Sequence, residues 1–128
     1  MKLQKIVSRL QELHPKEIDL SLDRIQNLCK RLGNPQDKIK AISIVGTNGK
    51  YSTIQAMFAV LKEADIKCNI YTSPHIKNIN ERFVFNHQEL SDEELANLFE
   101  EIETANNNEP ITFFEILTAA YFLKASQY

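Results

Sequence analysis

A loop rich in glycine, lysine and hydroxyl residues is the segment of this sequence best suited to chemistry. Residues 46–53 read Gly-Thr-Asn-Gly-Lys-Tyr-Ser-Thr, and they lie between an apolar, β-branched run at 39–45 and a helical pattern of apolar residues. Backbone N–H groups at the start of a helix bind anions, and the positive end of the helix dipole strengthens this attraction. Lys50 would reach the outer phosphates of a nucleotide, and a nearby hydroxyl group would coordinate Mg²⁺. The spacing therefore predicts a phosphate-binding loop.

The loop departs from the strict phosphate-loop pattern, G-x-x-x-x-G-K-[ST], at two positions. The first glycine of that pattern is absent, and Tyr51 separates Lys50 from Ser52. An ordinary glycine turn that carries an exposed lysine is therefore the competing interpretation of these residues.

Four segments, taken in order, resemble the motifs of one enzyme family. The strand-G-T-N-G-K-x-S-T-helix arrangement resembles the phosphate loop of the Mur ligase superfamily, in its folylpolyglutamate synthase/dihydrofolate synthase branch. Residues 18–24 (I-D-L-S-L-D-R) are similar to the segment that precedes this loop in the family. Residues 71–75 and 80–82 (Y-T-S-P-H and N-E-R) resemble the stretch after the second strand, and residues 112–115 (T-F-F-E) resemble the start of a later helix. The resemblance covers nearly the whole chain.

The resemblance implies an ATP-dependent amide ligase that uses Mg²⁺. Enzymes of this family phosphorylate a carboxylate of dihydropteroate or of a folate, and the amino group of L-glutamate then attacks the acyl phosphate. The chemistry suits the loop, because a lysine and Mg²⁺ offset the charge that develops on the transferring phosphoryl group. ATP and Mg²⁺ are therefore the expected cofactors, and dihydropteroate or folate and L-glutamate are the expected small-molecule partners.

The resemblance also assigns roles to individual residues, carried over position by position. The residues expected to bind ATP, with Lys50 as the catalytic residue, are Thr47, Asn48, Gly49, Lys50, Tyr51 and Ser52. The residues expected to bind the metal are Ser52 and Ser73. The residues expected to bind the pteridine substrate are Ile18, Asp19, Leu20, Thr112, Phe113, Phe114 and Glu115.

Several of these residues have a purely structural alternative role. Glu115 stands three residues after a threonine, where it would complete a helix capping box. Asp19 would simply precede a helix start, and Ser73 before a proline suits a turn. Phe113 and Phe114 suit packing in the core. These alternatives stay open at the level of the sequence.

Two departures from the family pattern limit the expected activity. Tyr51 stands where this branch usually has glycine, although a tyrosine is sterically allowed in helical geometry. In the family, a metal-binding glutamate, a metal-binding histidine and a C-terminal domain follow the part that is similar to this chain. We therefore expect residues 1–128 to be the N-terminal portion of a Mur-ligase-type ATP-binding domain, inactive without its C-terminal remainder.

Two other functions are compatible with the same residues. The first is a different Mur-type carboxylate–amine ligase, whose substrate is not a folate. The second is a truncated, non-catalytic remnant that binds at most phosphate or a partner chain. The missing C-terminal part of the same enzyme would be the partner of a fragment.

The secondary-structure pattern positions the loop between strand and helix. Apolar residues at helical spacing predict helices over about 2–13 and 22–32, the second capped by Ser21, and another helix follows the loop. Capping boxes at Ser91 and Thr112 predict two later helices. The predicted strands are 39–45, 67–72 and 82–85. Strand, loop, helix and strand form a βαβ unit with parallel strands, so the expected fold is α/β, a phosphate-loop-containing parallel-sheet domain of the Mur-ligase type, incomplete here.

The composition is that of an ordinary globular chain and excludes several other classes. The 128 residues suffice for one domain, with 43% apolar and 25% charged residues. Fifteen Lys and Arg against seventeen Asp and Glu give a net charge of −2, which offers no basic surface for nucleic acid or an anionic membrane. No apolar run approaches the length of a bilayer span, and no apolar signal core opens the chain, so a cytoplasmic location is expected. Cys29 and Cys68 are expected to be buried, reduced thiols.

Overall fold

The computed structural model describes residues 1–14 and 20–128. The chain divides into two units, of which the first comprises Met1–Ile39 and Ser91–Tyr128 and the second Lys40–Leu90. In chain order the helices are α1 (Lys2–Leu13), α2 (Asp23–Arg31), α3 (Lys50–Glu63), α4 (Asp92–Asn106) and α5 (Phe113–Ala125). The strands are β1 (Ile70–Tyr71), β2 (Phe83–Phe85) and β3 (Gln88–Glu89), and short 3₁₀ helices cover Pro35–Lys38 and Ile79–Arg82.

Four helices form the core of the first unit. Helix α1 contacts α4, α4 contacts α5, and α5 contacts α2. Leu10, Phe99 and Ile116, from three of these helices, are completely buried. Burial of each such side chain stabilises the folded chain by about 2 kcal/mol. The apolar face of each amphipathic helix therefore packs towards the core. The predicted helices over 2–13 and 22–32 are confirmed to within a residue at most ends.

Helix α2 begins and ends slightly differently from the prediction. It starts at Asp23, with Leu22 rather than Ser21 at the N-cap position. The Ser21 hydroxyl still accepts a hydrogen bond from the Asp23 N–H group at 3.3 Å, so it helps to cap the start of the helix. Gly33 follows the last turn with a φ of +83°, a left-handed conformation that glycine adopts without strain.

Both predicted capping boxes are present in the first unit. Ser91 Oγ accepts a hydrogen bond from the Glu94 N–H group at 3.2 Å, and the Glu94 carboxylate accepts one from the Ser91 N–H group at 2.9 Å. The bond from the Ser91 N–H group, and after it the Ser91 side chain, lower the pKa of Glu94, because they favour the charged carboxylate. Thr112 and Glu115 repeat the arrangement at the start of α5. Each box satisfies N–H groups that the helix itself leaves unpaired.

The second unit contains a small antiparallel sheet in the order β1-β2-β3. Tyr71 pairs with Phe83, and Phe85 pairs with Gln88 across a two-residue turn. Both turn residues, Asn86 and His87, have positive φ values, as the tightest hairpin turns require. The predicted short strand at 82–85 is thereby confirmed as Phe83–Phe85, and the strand predicted over 67–72 is limited to Ile70–Tyr71.

The predicted parallel pairing of residues 39–45 with residues 67–72 is wrong for the part of the chain that the structure describes. Strand β1 pairs antiparallel with β2, and residues 40–45 adopt no regular secondary structure. Strands of a parallel sheet need a neighbour and cover on both faces. Residues 40–45 have no such neighbour among the described strands, and Ile42 and Val45 are 75% and 88% exposed. The β-branched composition of residues 39–45 favours a strand, but it does not determine which strand would pair with it.

None of the described helices combines the length and the apolar character that crossing a membrane requires.

Candidate functional site

The phosphate-loop residues lie directly before helix α3. Gly49 occupies the N-cap position with a φ of +79°, and Gly46 has a φ of +148°, so a side chain at either position would strain the backbone. The first backbone bond of the helix joins the Thr53 N–H group to the Gly49 oxygen at 2.9 Å. Gly49 has no side chain with which to cap the helix, and no side-chain capping bond is present there. The N–H groups of the first turn are therefore suited to an anion.

Lys50 provides the positive charge of this loop. Its Nζ atom donates a hydrogen bond to the Gly46 backbone oxygen, which lies at the opposite end of the loop. The ammonium group thus lies across the loop rather than extending into solvent. Because a phosphate oxygen carries more negative charge than a peptide oxygen, an arriving phosphate would compete well for this ammonium group.

The remaining residues predicted to bind ATP are open to solvent. Thr47, Asn48 and Ser52 are exposed, and the Tyr51 side chain is exposed at 67%. Residues 46–53 contain no aspartate or glutamate that would repel an anion. The loop therefore combines an accessible surface, one cation and a helix start, which together favour an anionic ligand.

Ser73, the second predicted metal ligand, is an exposed residue of the loop that follows β1. The peptide bond between Ser73 and Pro74 is cis. Ser73 and the phosphate loop belong to the same unit, although among the described residues no hydrogen bond joins them. The joint role of Ser73 and Ser52 as metal ligands therefore stays a prediction.

His75 and Arg82 are paired beside Ser73. The Arg82 Nε group donates a hydrogen bond to His75 Nδ1 at 2.8 Å, which requires that nitrogen to be unprotonated. Burial first, and then the Arg82 guanidinium group, lower the pKa of His75. These two residues therefore act as a structural pair.

Glu81 is a residue of this loop whose role the sequence did not reveal. Its carboxylate accepts hydrogen bonds from the N–H groups of Ile76 at 2.9 Å, Lys77 at 2.8 Å and Asn78 at 2.7 Å. The bonds from Asn78, Ile76 and Lys77 lower the pKa of Glu81 to about 2, because they favour the charged carboxylate. The pattern Asn78-x-x-Glu81 is a capping-box sequence and could have revealed this contact.

The residues predicted to bind the substrate lie in the first unit, where Thr112 and Glu115 form a capping box. Glu115 Oε1 accepts hydrogen bonds from the Thr112 N–H group and from Arg24 Nε, both at 3.0 Å. Glu115 is 8% exposed, and its Oε2 atom is buried without a hydrogen-bond partner among the described residues. Glu115 therefore has the capping role that was the structural alternative for it. Its Oε2 atom remains available to accept a hydrogen bond from a ligand.

The other predicted substrate residues are less enclosed. Phe113 is half-buried, Phe114 is 41% exposed, and Leu20 is 97% exposed. Ile18 and Asp19 lie outside the described residues. The substrate role of these side chains therefore stays a prediction.

The two hydroxyl groups predicted to bind the metal suit a hard divalent cation. Within residues 1–14 and 20–128, no three His, Cys, Asp or Glu side chains are grouped so that they could hold a metal ion. Hydroxyl oxygens such as those of Ser52 and Ser73 are hard ligands. Mg²⁺ commonly combines a few protein oxygens with substrate phosphates and water. The residues present are compatible with a metal that arrives together with a nucleotide.

Comparison with known proteins extends this description. No family model matches the chain. The chain is 35% identical over 123 residues to a dihydrofolate synthase/folylpolyglutamate synthase of Escherichia coli K12, covering 94% of this chain and 29% of that protein. The chain therefore spans under a third of the length of this curated relative.

Two solved structures are similar to the chain over nearly all of its length. One is E. coli FolC in complex with DHPP and ADP, with a TM-score of 0.84 and 33% identity, covering 98% of this chain and 30% of that one. The other is the bifunctional folylpolyglutamate synthase/dihydrofolate synthase of Yersinia pestis complexed with AMPPNP and Mn ion. Its TM-score is 0.82 at 32% identity, again over 98% of this chain and 30% of that chain. These similarities confirm the predicted fold class, an incomplete α/β domain of the Mur-ligase type.

Proposed function

The chain belongs, over the part that it covers, to the dihydrofolate synthase/folylpolyglutamate synthase family, and on this premise we propose that it forms the nucleotide-binding portion of an ATP-dependent ligase. The whole enzyme would join L-glutamate to dihydropteroate or to a folate through an acyl phosphate. Residues 1–128 would be the N-terminal portion of its ATP-binding domain. The observation that carries this proposal is the uncapped start of α3 behind Gly49, with the Lys50 ammonium group lying across the loop.

The phosphate loop would bind the nucleotide through its backbone and through one side chain. The N–H groups of the first turn of α3, from Lys50 to Ser52, would donate to phosphate oxygens. Lys50 would exchange the Gly46 oxygen for a phosphate oxygen, since a charge-assisted bond is the stronger of the two. Its positive charge would then offset the charge that develops on the transferred phosphoryl group, which makes Lys50 the catalytic residue. Thr47 and Asn48 would line the same phosphates.

Ser52 and Ser73 would hold the divalent metal. Mg²⁺ bound there would neutralise part of the negative charge on the phosphates. We propose Mg²⁺ as this metal, because two hydroxyl oxygens, phosphate oxygens and water provide the hard ligands that it prefers.

Residues of the first unit would contact the pteridine substrate. We assign this role to Thr112, Phe113, Phe114 and Glu115, together with the segment Ile18, Asp19 and Leu20. The buried Oε2 of Glu115, which has no hydrogen-bond partner within residues 1–14 and 20–128, supports the assignment, because a carboxylate oxygen in that state favours an N–H donor from a ligand. The exposed ring of Phe114 supports it as well, since an aromatic face can stack on a flat heterocycle.

The cytoplasm is the location that we propose for this ligase. Both cysteines are free thiols, and burial raises the pKa of Cys29 and of Cys68. Unpaired, unreactive thiols are typical of a reducing compartment.

Nucleotide binding by the purified chain tests the proposal directly. We expect the chain to bind Mg·ATP in a calorimetric titration, and we expect Lys50→Ala to weaken that binding at least tenfold, about 1.4 kcal/mol. Lys62→Ala is the matched control, because Lys62 is an exposed lysine of the same helix. Equal affinities for the wild-type chain and Lys50→Ala would contradict the assignment of this loop.

A further inference from the structure

One carboxylate, that of Glu81, makes several of the hydrogen bonds within the Ser73 loop, residues 72–82. Glu81 accepts hydrogen bonds from three consecutive N–H groups, those of residues 76–78, at 2.7–2.9 Å. None of these residues belongs to a helix or strand that would satisfy its N–H group. Bonds from N–H groups to a charged oxygen are stronger than neutral ones, so three of them fix this turn firmly.

The same part of the loop is also bonded to the residues on either side of Ser73. On one side, the Thr72 N–H group donates to the Arg82 backbone oxygen at 3.3 Å, and Thr72 Oγ1 donates to the Glu81 backbone oxygen at 3.5 Å. On the other side, Arg82 Nε donates to His75 Nδ1 at 2.8 Å. Ser73 thus lies in an exposed turn whose two ends are both tied to residues 81 and 82.

We propose that Glu81 is a positioning residue for Ser73: it fixes the turn that presents the Ser73 hydroxyl group to a divalent cation. The inference rests on the proposed function, in which Ser73 is a metal ligand. We assign Glu81 no direct contact with the metal, because its carboxylate already accepts three backbone N–H bonds. Its contribution is to hold the Ser73 hydroxyl group where it can bind the cation.

The substitution Glu81→Gln probes this role with little change in size. In the carboxylate, Oε1 accepts one N–H bond and Oε2 accepts two. A glutamine must replace one of these oxygens by an NH₂ group, which then faces an N–H donor. At least one bond is lost and the negative charge disappears. Partners of metal ligands typically change metal affinity by about 10- to 100-fold when they are substituted, and we expect a decrease within that range.

The first measurement needs neither metal nor nucleotide. Amide hydrogen exchange of Ile76, Lys77 and Asn78 should accelerate about tenfold or more in Glu81→Gln, because their charged acceptor is gone. Glu89→Gln, at an exposed glutamate of β3 in the same unit, is the matched control and should leave these rates unchanged. Unchanged exchange in Glu81→Gln would overturn the proposal at once.

The second measurement is the affinity for Mn²⁺ in the presence of AMPPNP, followed by the electron paramagnetic resonance signal of free Mn²⁺. Glu81→Gln and Ser73→Ala should each weaken Mn²⁺ binding about tenfold. The double variant should bind Mn²⁺ no more weakly than Ser73→Ala alone, because Glu81 acts only through Ser73. AMPPNP binding without metal should be the same in all of these variants.

The outcomes separate a failure of this inference from a failure of the proposed function. If the wild-type chain binds Mn²⁺ with AMPPNP and Glu81→Gln does so equally well, the positioning role is refuted while the proposed function stands. Additive losses in the double variant, or lost binding of metal-free AMPPNP, would show that Glu81 supports the fold generally and would also refute it. A wild-type chain that binds no Mn²⁺ with AMPPNP would overturn the proposed metal site itself and, with it, this inference.

Discussion

Arg24 and Glu115 lie ninety-one positions apart in the chain, yet Arg24 Nε and Glu115 Oε1 are 3.0 Å apart. The pair joins the first turn of α2 to the first turn of α5, and the two side chains are 21% and 11% exposed. The same Oε1 also accepts the Thr112 N–H bond of the α5 capping box. One carboxylate oxygen therefore connects the start of one helix to the start of another.

Removing the arginine should destabilise the chain markedly. Arg24→Ala leaves the Glu115 carboxylate in a mostly buried position without its cation, and we expect the free energy of unfolding to fall by about 2–4 kcal/mol. Urea denaturation followed by circular dichroism measures this loss. Glu115→Gln retains an acceptor oxygen and removes the charge. The double variant Arg24→Ala/Glu115→Gln should therefore lose less free energy of unfolding than Arg24→Ala alone.

The pair between Arg9 and Glu103 provides the matched control. It has comparable geometry, at 2.6 Å between Nη2 and Oε1, but its side chains are 48% and 25% exposed. Exposed ion pairs contribute about 0–1 kcal/mol, because water already solvates both charges. Equal losses for Arg9→Ala and Arg24→Ala would show that burial does not set the strength of the Arg24–Glu115 pair.

The capping box at the start of α4 should contribute measurably to stability. Ser91→Ala removes the acceptor of the Glu94 N–H bond, and we expect a loss of about 1 kcal/mol in the free energy of unfolding. Thr104→Ala tests the same helix at an exposed position in its last turn, where the hydroxyl donates to the Glu100 backbone oxygen. That change should have almost no effect, since alanine is the better helix former. Thermal unfolding of both variants separates the two cases.

The local parts of this fold could be predicted from the sequence because they depend on neighbouring residues. Ser91 and Glu94 stand three positions apart, and so do Thr112 and Glu115, so the capping residues identify each helix start without reference to the rest of the chain. The start of α3 behind Gly49 follows from local features as well. The phosphate loop itself was therefore visible as a sequence pattern.

The non-local parts could not be predicted in the same way. Residues 39–45 have the composition of a buried strand, but pairing depends on which strand lies beside them, and composition does not carry that information. Likewise, the Arg24–Glu115 pair depends on the packing of α2 against α5. Glu81 was seen only as part of a family motif, since the loop that it organises exists only after folding.

The Glu81 carboxylate should make the Ser73 loop sensitive to strong acid. Its pKa is about 2 in the folded chain against an ordinary value of 4.5, so the charged form is stabilised by folding. The corresponding stability is fully present above pH 4.5 and is lost as the pH falls towards 2. The Glu81 side-chain carboxyl ¹³C shift, followed by NMR, should titrate with a midpoint near 2. A midpoint near 4.5 would mean that the three N–H bonds are not maintained in solution.

The exposed ring of Tyr51 should be nearly neutral for nucleotide binding. Tyr51 occupies the second position of α3, and 67% of its surface is exposed, so the ring does not fill the loop. Tyr51→Gly should change the affinity for Mg·ATP by less than about threefold. It should also lower the free energy of unfolding by about 0.5 kcal/mol, because glycine is the poorer helix former. A large gain in affinity would instead show that the ring obstructs the phosphates.

We expect the 128-residue chain alone to show no catalysis. The chain spans 29% of the length of the E. coli relative, so we expect groups that ligation requires to lie in the remainder of the enzyme. Binding without turnover is the expected result: the chain should bind Mg·ATP, but a coupled assay with dihydropteroate and L-glutamate should detect no ADP release above background. Omitting each substrate in turn provides the control for contaminating ATPase activity. ADP release that requires both dihydropteroate and L-glutamate, and that Lys50→Ala abolishes, would show that residues 1–128 suffice for ligation.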